Sequence, residues 1–184
     1  MFIQIINGND LPQKEAKSIE QLWINTFRDG KKISENKNIT FNNEELFFIA
    51  RNESNVMLSV GCLKSVKMKF SNKNYLIKGI GGIVSIVQGS GYGKLLMQEI
   101  RKYLKKENLM GIGFCLRKNT LFYEKCNFFV EKDLINKFIY KDASGNSHLN
   151  PDEDDDVIYF NDKYSLIQNI VSSPKAKIFI PFWW

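Results

Sequence analysis

A chain of 184 residues, 43% hydrophobic and 13% aromatic, can bury a core of its own and is sized for a single domain. No apolar run approaches the ~18 to 20 residues of a membrane span, and Cys62, Cys115 and Cys126 have neither zinc spacing nor an even count, so they read as reduced core residues of a cytoplasmic protein with no metal site. The net charge of +6 is carried mostly by scattered lysines; it fits a solvated basic surface or attraction of a small polyanion, and no nucleic-acid motif accompanies it.

Residues 2–6 are apolar, with no basic leader and no small-residue cleavage site, and read as a strand rather than a secretion signal. The turn-prone Asn7-Gly8-Asn9-Asp10 closes it. From Leu11 to Phe27, Ala16, Ile19, Leu22, Trp23 and Phe27 recur at three- and four-residue steps, which is one face of an amphipathic helix. Residues 28–44 are polar and predict a loop with a short helix. Strands are expected over Leu46–Ala50, Val56–Phe70 (bulged at Gly61) and Tyr75–Val87, with turns at residues 52–55 and 71–74, and hairpin logic makes them an antiparallel meander.

The period then changes. Leu95, Leu96, Ile100, Tyr103 and Leu104 mark a helix from Gly91 to Lys106. A short strand over Met110–Leu116, a short helix over Asn119–Lys125 and a strand region over Phe128–Tyr140 follow. Residues 142–156 read as a loop ending in an acidic cluster, Val157–Phe160 as a strand, and Ile178–Trp184 as an apolar tail. His148, the sole histidine, falls in the loop and receives no role. With no repeat, linker or second domain, the expectation is one α/β (α+β) domain over residues 1–184, a mixed sheet covered by helices, with 141–184 as a C-terminal extension.

The chemistry concentrates where the period changes, in Val84-Ser85-Ile86-Val87-Gln88-Gly89-Ser90-Gly91-Tyr92-Gly93-Lys94. A strand runs into three alternate glycines and then into a helix. The first turn of a helix leaves backbone N–H groups unpaired, and its dipole favours negative charge. Glycines let a phosphate approach those groups with no Cβ in the way. A phosphate or diphosphate site is therefore predicted. The nucleoside-triphosphate loop would need Ser or Thr where Leu95 stands, and the dinucleotide fingerprint would need Gly-x-Gly-x-x-Gly early in a parallel unit. The plainer alternative is a tight turn with no ligand.

Gln88-Gly89-Ser90-Gly91-Tyr92-Gly93 resembles the Gln/Arg-x-x-Gly-x-Gly signature of the GNAT superfamily of N-acetyltransferases. Leu121-Phe122-Tyr123-Glu124-Lys125-Cys126-Asn127-Phe128 resembles the family's Leu-Tyr-Glu-Lys-x-Gly-Phe segment, at the expected distance downstream. The resemblance covers residues 1–140. It implies a mixed, mostly antiparallel twisted sheet with a splayed central strand pair and helices on both faces. It implies that Gln88, Gly89, Ser90, Gly91, Tyr92, Gly93 and Lys94 hold the pyrophosphate of acetyl-coenzyme A. Backbone groups of Ile83, Val84, Ser85 and Ile86 would meet the pantetheine arm and the thioester. An amine would attack the thioester directly, and Tyr123 would protonate the departing thiolate, with an unperturbed pKa near ~10.

Departures from the pattern are equally specific. The family's cofactor-contacting asparagine falls at Leu116, with Asn119 three residues later as the nearest substitute. The closing glycine is Asn127, a residue that tolerates left-handed backbone angles. The glutamate many members carry on the strand before the loop is missing, because Ile77 to Val87 contains no carboxylate.

Pro151-Asp152-Glu153-Asp154-Asp155-Asp156 is the one dense carboxylate run, read first as a solvated loop. Calcium-loop spacing is missing from it. The segment 150–160 is also similar to the Pro-Asp-Asp-Asp…Val-Phe-Val segment of aminoglycoside 2′-N-acetyltransferases, which end in a tryptophan, as this chain does at Trp184. That resemblance implies substrate contacts by Asp154 or Asp155 and by the Trp184 carboxylate, with the C-terminal extension on the acceptor side and the strand glutamate replaced by Gly82. The tail could equally be a hydrophobic strand cap. The expected function is acetyl-CoA-dependent N-acetylation of a small cationic amine, in a chain that binds neither membrane nor nucleic acid, with a homodimer left open. The competing class is a weak or inactive coenzyme A-binding module that serves as sensor or interaction protein.

Overall fold

The computed structural model describes residues 1–27, 41–141, 146–149, 155–173, 175 and 177–181. In chain order the elements are β1 (Phe2–Asn7), a 3₁₀ turn (Gly8–Asp10), α1 (Gln13–Phe27), β2 (Glu45–Arg51), β3 (Met57–Phe70), β4 (Lys73–Ser85) and α2 (Tyr92–Lys106). They continue with β5 (Gly111–Leu116), a 3₁₀ turn (Arg117–Asn119), α3 (Thr120–Lys125), β6 (Phe129–Glu131), a 3₁₀ turn (Leu134–Lys137), β7 (Phe138–Lys141) and β8 (Ser147–His148). Last come β9 (Asp155–Phe160), a 3₁₀ turn (Lys163–Ser165), α4 (Leu166–Val171) and β10 (Ile178–Ile180). The chain forms two compact units, one of Met1–Leu63 with Gly82–Glu99 and one of Lys64–Gly81 with Ile100–Trp184.

In the first unit β1 and β2 pair antiparallel from Phe2↔Arg51 to Asn7↔Leu46, and β2 also pairs with β3. The run Phe47-Phe48-Ile49-Ala50 is fully buried on both faces of the strand, which is why it reads as continuous rather than alternating. The helical spacing of α1 turns Ala16, Ile19 and Ile24 inward, and Ile19 joins Leu11, Phe47, Ile49, Val60 and Cys62 in one core cluster. Each fully buried side chain of this size contributes about 1.5–3 kcal/mol. The buried Arg51 guanidinium is answered by an ion pair with Glu15 and donates to Gln4 Oε1 at 2.7 Å, so the charge is not left uncompensated.

In the second unit the strand order is β6-β9-β5-β4-β3-β10-β7-β8. The β4–β5 and β10–β7 pairs are parallel, while β10–β3, β5–β9, β6–β9 and β7–β8 are antiparallel, so the expected mixed, mostly antiparallel sheet is observed. Ser71 and Asn72, with φ of 47° and 61°, make the tight two-residue connection from β3 to β4. The β4–β5 ladder covers only Lys78–Ile80 against Gly111–Gly113, whereas β4 runs on to Ser85 and β5 to Leu116. That short ladder is the expected splayed pair. Gly113 permits the close approach within it, since a Cβ there would lie 2.6 Å from the Ile80 carbonyl oxygen.

Several expectations are corrected. The strand region over Phe128–Tyr140 is two strands, β6 and β7, because Asp133 takes a left-handed φ of 59° and a 3₁₀ turn follows it. The acidic run does not end as a loop: Asp155 and Asp156 open β9. Residues 166–171, to which no element was assigned, form α4, whose start is fixed by the Ile167 N–H donating to Asp162 Oδ1 at 2.9 Å. Its end is held by Lys137 Nζ, which donates to the carbonyls of Ile170 (2.6 Å) and Ser173 (3.0 Å). The apolar tail enters the sheet as β10, between β3 and β7. His148 lies in β8 rather than a loop, stacked on Tyr140 with ring centroids 5.5 Å apart. The short helix expected within residues 28–44 falls mostly outside the described residues.

Candidate functional site

The glycine turn belongs to the first unit and is built by backbone. β4 is tied to β3 up to the Ile86 N–H, which donates to the Leu58 carbonyl at 2.9 Å, and the chain then leaves the sheet. Gln88 to Gly91 are exposed. Gly89 and Gly91 adopt φ of 77° and 84°, and a Cβ on either would meet nothing within 4 Å. Glycine is thus required here by backbone angle, and the turn faces open space. Ser90 Oγ donates to the Val87 carbonyl at 2.6 Å and braces the turn. Leu95 N–H donates to the Gly91 carbonyl at 3.2 Å, so the N–H groups of Tyr92, Gly93 and Lys94 precede the first intrahelical bond of α2. A 15-residue helix ends in those donors, and exposed Lys94 adds a positive charge beside them. The surroundings suit a diphosphate: free N–H groups, no intruding side chain, no acidic residue in the first turn of α2.

On the strand leading into the turn, Val84 points inward and is buried, whereas Ile83 and Ser85 are half-buried and Ile86 is 51% exposed. Of the expected arm-binding stretch, Val84 can therefore offer only its backbone. Gly82 adopts φ of 63°, and a Cβ there would clash with the Trp23 indole at Cζ2 and lie 2.8 Å from Nε1. Trp23 Nε1–H donates to the Gly82 carbonyl at 2.8 Å. The indole is stacked on Phe47 (5.9 Å, 21°) and meets Phe41 edge-on (5.8 Å, 76°). An aromatic side chain thus stands where the resemblance leads one to expect a carboxylate.

The other expected residues lie in the second unit. Asn119 ends the 3₁₀ turn before α3, is exposed, and makes no side-chain cap bond, which leaves its amide available to a ligand. Tyr123 is buried at 8% exposure, against the edge of Phe122. Its expected ordinary pKa is corrected: burial pushes the phenol well above its usual range, and the neighbouring Cys115 and Cys126 thiols add to the rise. The group keeps its proton throughout the neutral range. Asn127 takes φ of 60°, as a substitute for glycine must. Asp155 pairs with Leu116 at the end of β5, two positions before Lys118. Asp154 and Trp184 lie outside the described residues.

Asp156 is the residue the sequence did not flag. It sits opposite Cys115 and its side chain is fully buried. Oδ1 accepts from the Asp133 backbone N–H (3.2 Å) and from Arg117 (3.4 Å), while Arg117 also pairs with Asp133 at 2.6 Å. Oδ2 has no partner among the described residues. Burial, then the Asp156 and Asp155 charges, push the Cys115 thiol up to about 12. In the sequence Asp156 is simply the last member of an acidic run, and only the strand register shows it to be buried opposite Cys115. Trp23 was read as one more apolar residue of a helix face; its bond to Gly82 spans 59 positions and leaves no local signal.

The architecture is that of the GNAT fold: meander, splayed parallel pair, glycine turn and following helix. The chain is similar to an acyl-CoA N-acyltransferase from Pseudomonas aeruginosa, with a TM-score of 0.57 and 15% identity over 86% of this chain and 97% of that one. It is similar to Escherichia coli ElaA, with a TM-score of 0.58 and 10% identity over 86% and 98%. It is also similar to a point mutant of the Vibrio cholerae spermidine N-acetyltransferase SpeG, with a TM-score of 0.55 and 17% identity over 88% and 95%. At these identities the likeness is one of fold. No family model matches the chain, and no curated protein matches it.

Proposed function

We propose that the chain is an acetyl-CoA-dependent N-acetyltransferase acting on a primary amine of a small molecule. The observation that carries the reading is the turn at residues 88–93, where two glycines at positive φ face open space directly before the unpaired N–H groups of α2. The names of the structural neighbours, an acyl-CoA N-acyltransferase and a spermidine N-acetyltransferase, support it through the shared fold.

In this reading Gln88 to Lys94 bind the pyrophosphate. The pantetheine arm spans roughly fourteen bonds from phosphorus to the thioester carbonyl carbon, about the length of five extended residues. Laid along β4 from Gln88, it brings the thioester carbonyl to the backbone at Ile83. The amine nitrogen attacks that carbonyl, a C–N bond forms, and the C–S bond breaks as the thiolate leaves. Tyr123, kept protonated by its burial, donates to the departing sulfur and regains a proton from solvent, to which the amine releases its own. Asn119 adds a cofactor contact.

The finer version has a cationic, aminoglycoside-like acceptor held by Asp154, Asp155 and the Trp184 carboxylate, with residues 141–184 forming its acceptor side. Its support is the resemblance of the acidic segment and the half-buried position of Asp155 at the start of β9. The test is thiol release from acetyl-coenzyme A with a panel of an aminoglycoside, a polyamine, amino-acid amides and a peptide N-terminus. Turnover with at least one amine is expected. Calorimetric binding of coenzyme A with no thiol release from any amine would leave only a binding module.

A further inference from the structure

The second half of β4 offers a reacting amine no titratable proton acceptor. From Gly79 to Val87 the strand and its exit carry no titratable side chain. The Gly82 carbonyl, one step from the point where the thioester falls, already accepts the Trp23 N–H at 2.8 Å. Trp23 is in turn fixed by Phe47 and Phe41, so the surface at Gly82 is aromatic and apolar. No carboxylate side chain can be placed at position 82 while Trp23 is present, because the first carbon of any side chain there collides with the indole.

Among the described residues, the carboxylates on the α1, β2 and α2 segments of the first unit are otherwise engaged, Glu99 of α2 having a partner too. Glu15 of α1 is ion-paired with Arg51 of β2. Glu45 of β2 is buried and accepts the Asn42 N–H at 3.0 Å, and Glu20 of α1 also has a partner. Cys62 of β3 is buried, and Lys94 of α2 is a cation.

We infer that Trp23 and Gly82 determine acceptor specificity: the nitrogen that is acetylated is a weakly basic amine, one already largely neutral near neutral pH, and strongly basic alkylamines are poor acceptors. This rests on the acetyltransferase reading above and narrows it. An amine must lose its ammonium proton before its lone pair can attack. Where the protein takes up no proton, the free-base fraction in solution sets the rate. An α-amine, with pKa about 8, is neutral at pH 7 about two orders of magnitude more often than a lysine-type amine with pKa about 10.4. A compound with several amines can still bind as a cation, provided the reacting nitrogen is the weak base.

The test uses the whole chain with saturating acetyl-coenzyme A and follows thiol release for alaninamide, Nα-acetyllysinamide and any other panel amine that turns over. For each acceptor kcat/KM should rise tenfold per pH unit and level off at that acceptor's own pKa. Alaninamide should be preferred on the order of a hundredfold at pH 7, with the gap closing as pH passes the higher amine pKa. A profile that levels off well below the amine's pKa would overturn the inference while leaving the acetyltransferase reading intact; loss of that break in Glu45→Gln would assign the proton to Glu45. Coenzyme A binding with no thiol release from any amine would instead remove the acetyltransferase reading and the inference with it. The double variant Trp23→Ala, Gly82→Glu should introduce a new break at lower pH and narrow the preference for alaninamide. Because the profiles of the natural chain decide the question, the result does not depend on that variant folding.

Discussion

The glycine turn and the segment around α3 are two ways of preparing a site. Residues 88–93 work through backbone alone: exposed, free of side-chain contacts at both positive-φ glycines, ready to donate N–H groups. Residues 115–133 with Asp156 work through buried side chains, with Tyr123 and Cys115 kept neutral by desolvation and Asp156 kept in place by Arg117 and the Asp133 N–H. A backbone site tolerates almost any change that leaves φ and space alone. A buried polar site is sensitive to the loss of each partner, because what remains has no water to replace it.

The largest effect should come from filling the open turn. Gly91→Glu puts bulk and negative charge at the proposed anion site at a φ of 84°, and coenzyme A affinity measured by calorimetry should fall beyond detection. Gly91→Ala separates the backbone effect, a strain of about 1–2 kcal/mol, from the loss of the anion site; undiminished affinity in Gly91→Glu would remove the loop assignment. Next is Tyr123→Phe, expected to lower kcat on the order of a hundredfold with coenzyme A affinity unchanged. Equal turnover in the two proteins would make Tyr123 a packing residue.

Stability should respond more modestly. Arg117→Ala leaves Asp156 buried with only one donor, whereas Asp156→Asn removes the charge and keeps an acceptor for the Asp133 N–H. Urea midpoints should therefore fall further for Arg117→Ala than for Asp156→Asn, and the reverse order would contradict the account of this cluster. The smallest effect is on pH dependence. The Cys115 thiol is raised from 9.0 to about 12 in the folded chain, so its contribution to stability is complete below pH 9 and is lost as pH rises towards 12. Tyr123 shifts in the same direction. Melting temperature should decline across that interval, and less steeply in Cys115→Ala.

Local signals were strong where neighbours in sequence are neighbours in space. The three- and four-residue steps of α1 and α2, the alternate glycines and the Tyr123 segment depend on contacts within a few residues, and they are legible as helices, a turn and a short helix. The same kind of signal is present in Leu166-Ile167 and Ile170, preceded by the cap-forming Asp162. A strand region such as Phe128–Tyr140 is harder. Its apolar content is right for strands, but the left-handed Asp133 that divides it depends on a bond to Asp156, 23 positions away.

By itself the sequence determined that a glycine-built turn follows a meander and precedes a helix, since glycine spacing and helical period are local properties. It put Tyr123 in a short helix for the same reason. Only the tertiary structure decided what surrounds them. Burial raised Tyr123 above its ordinary range, strand register turned Asp156 from a solvated acid into a buried one, and α1 brought Trp23 onto Gly82 across 59 positions. Burial, register and long-range packing are properties of the assembled chain, set by which surfaces exclude water once all the strands are in place.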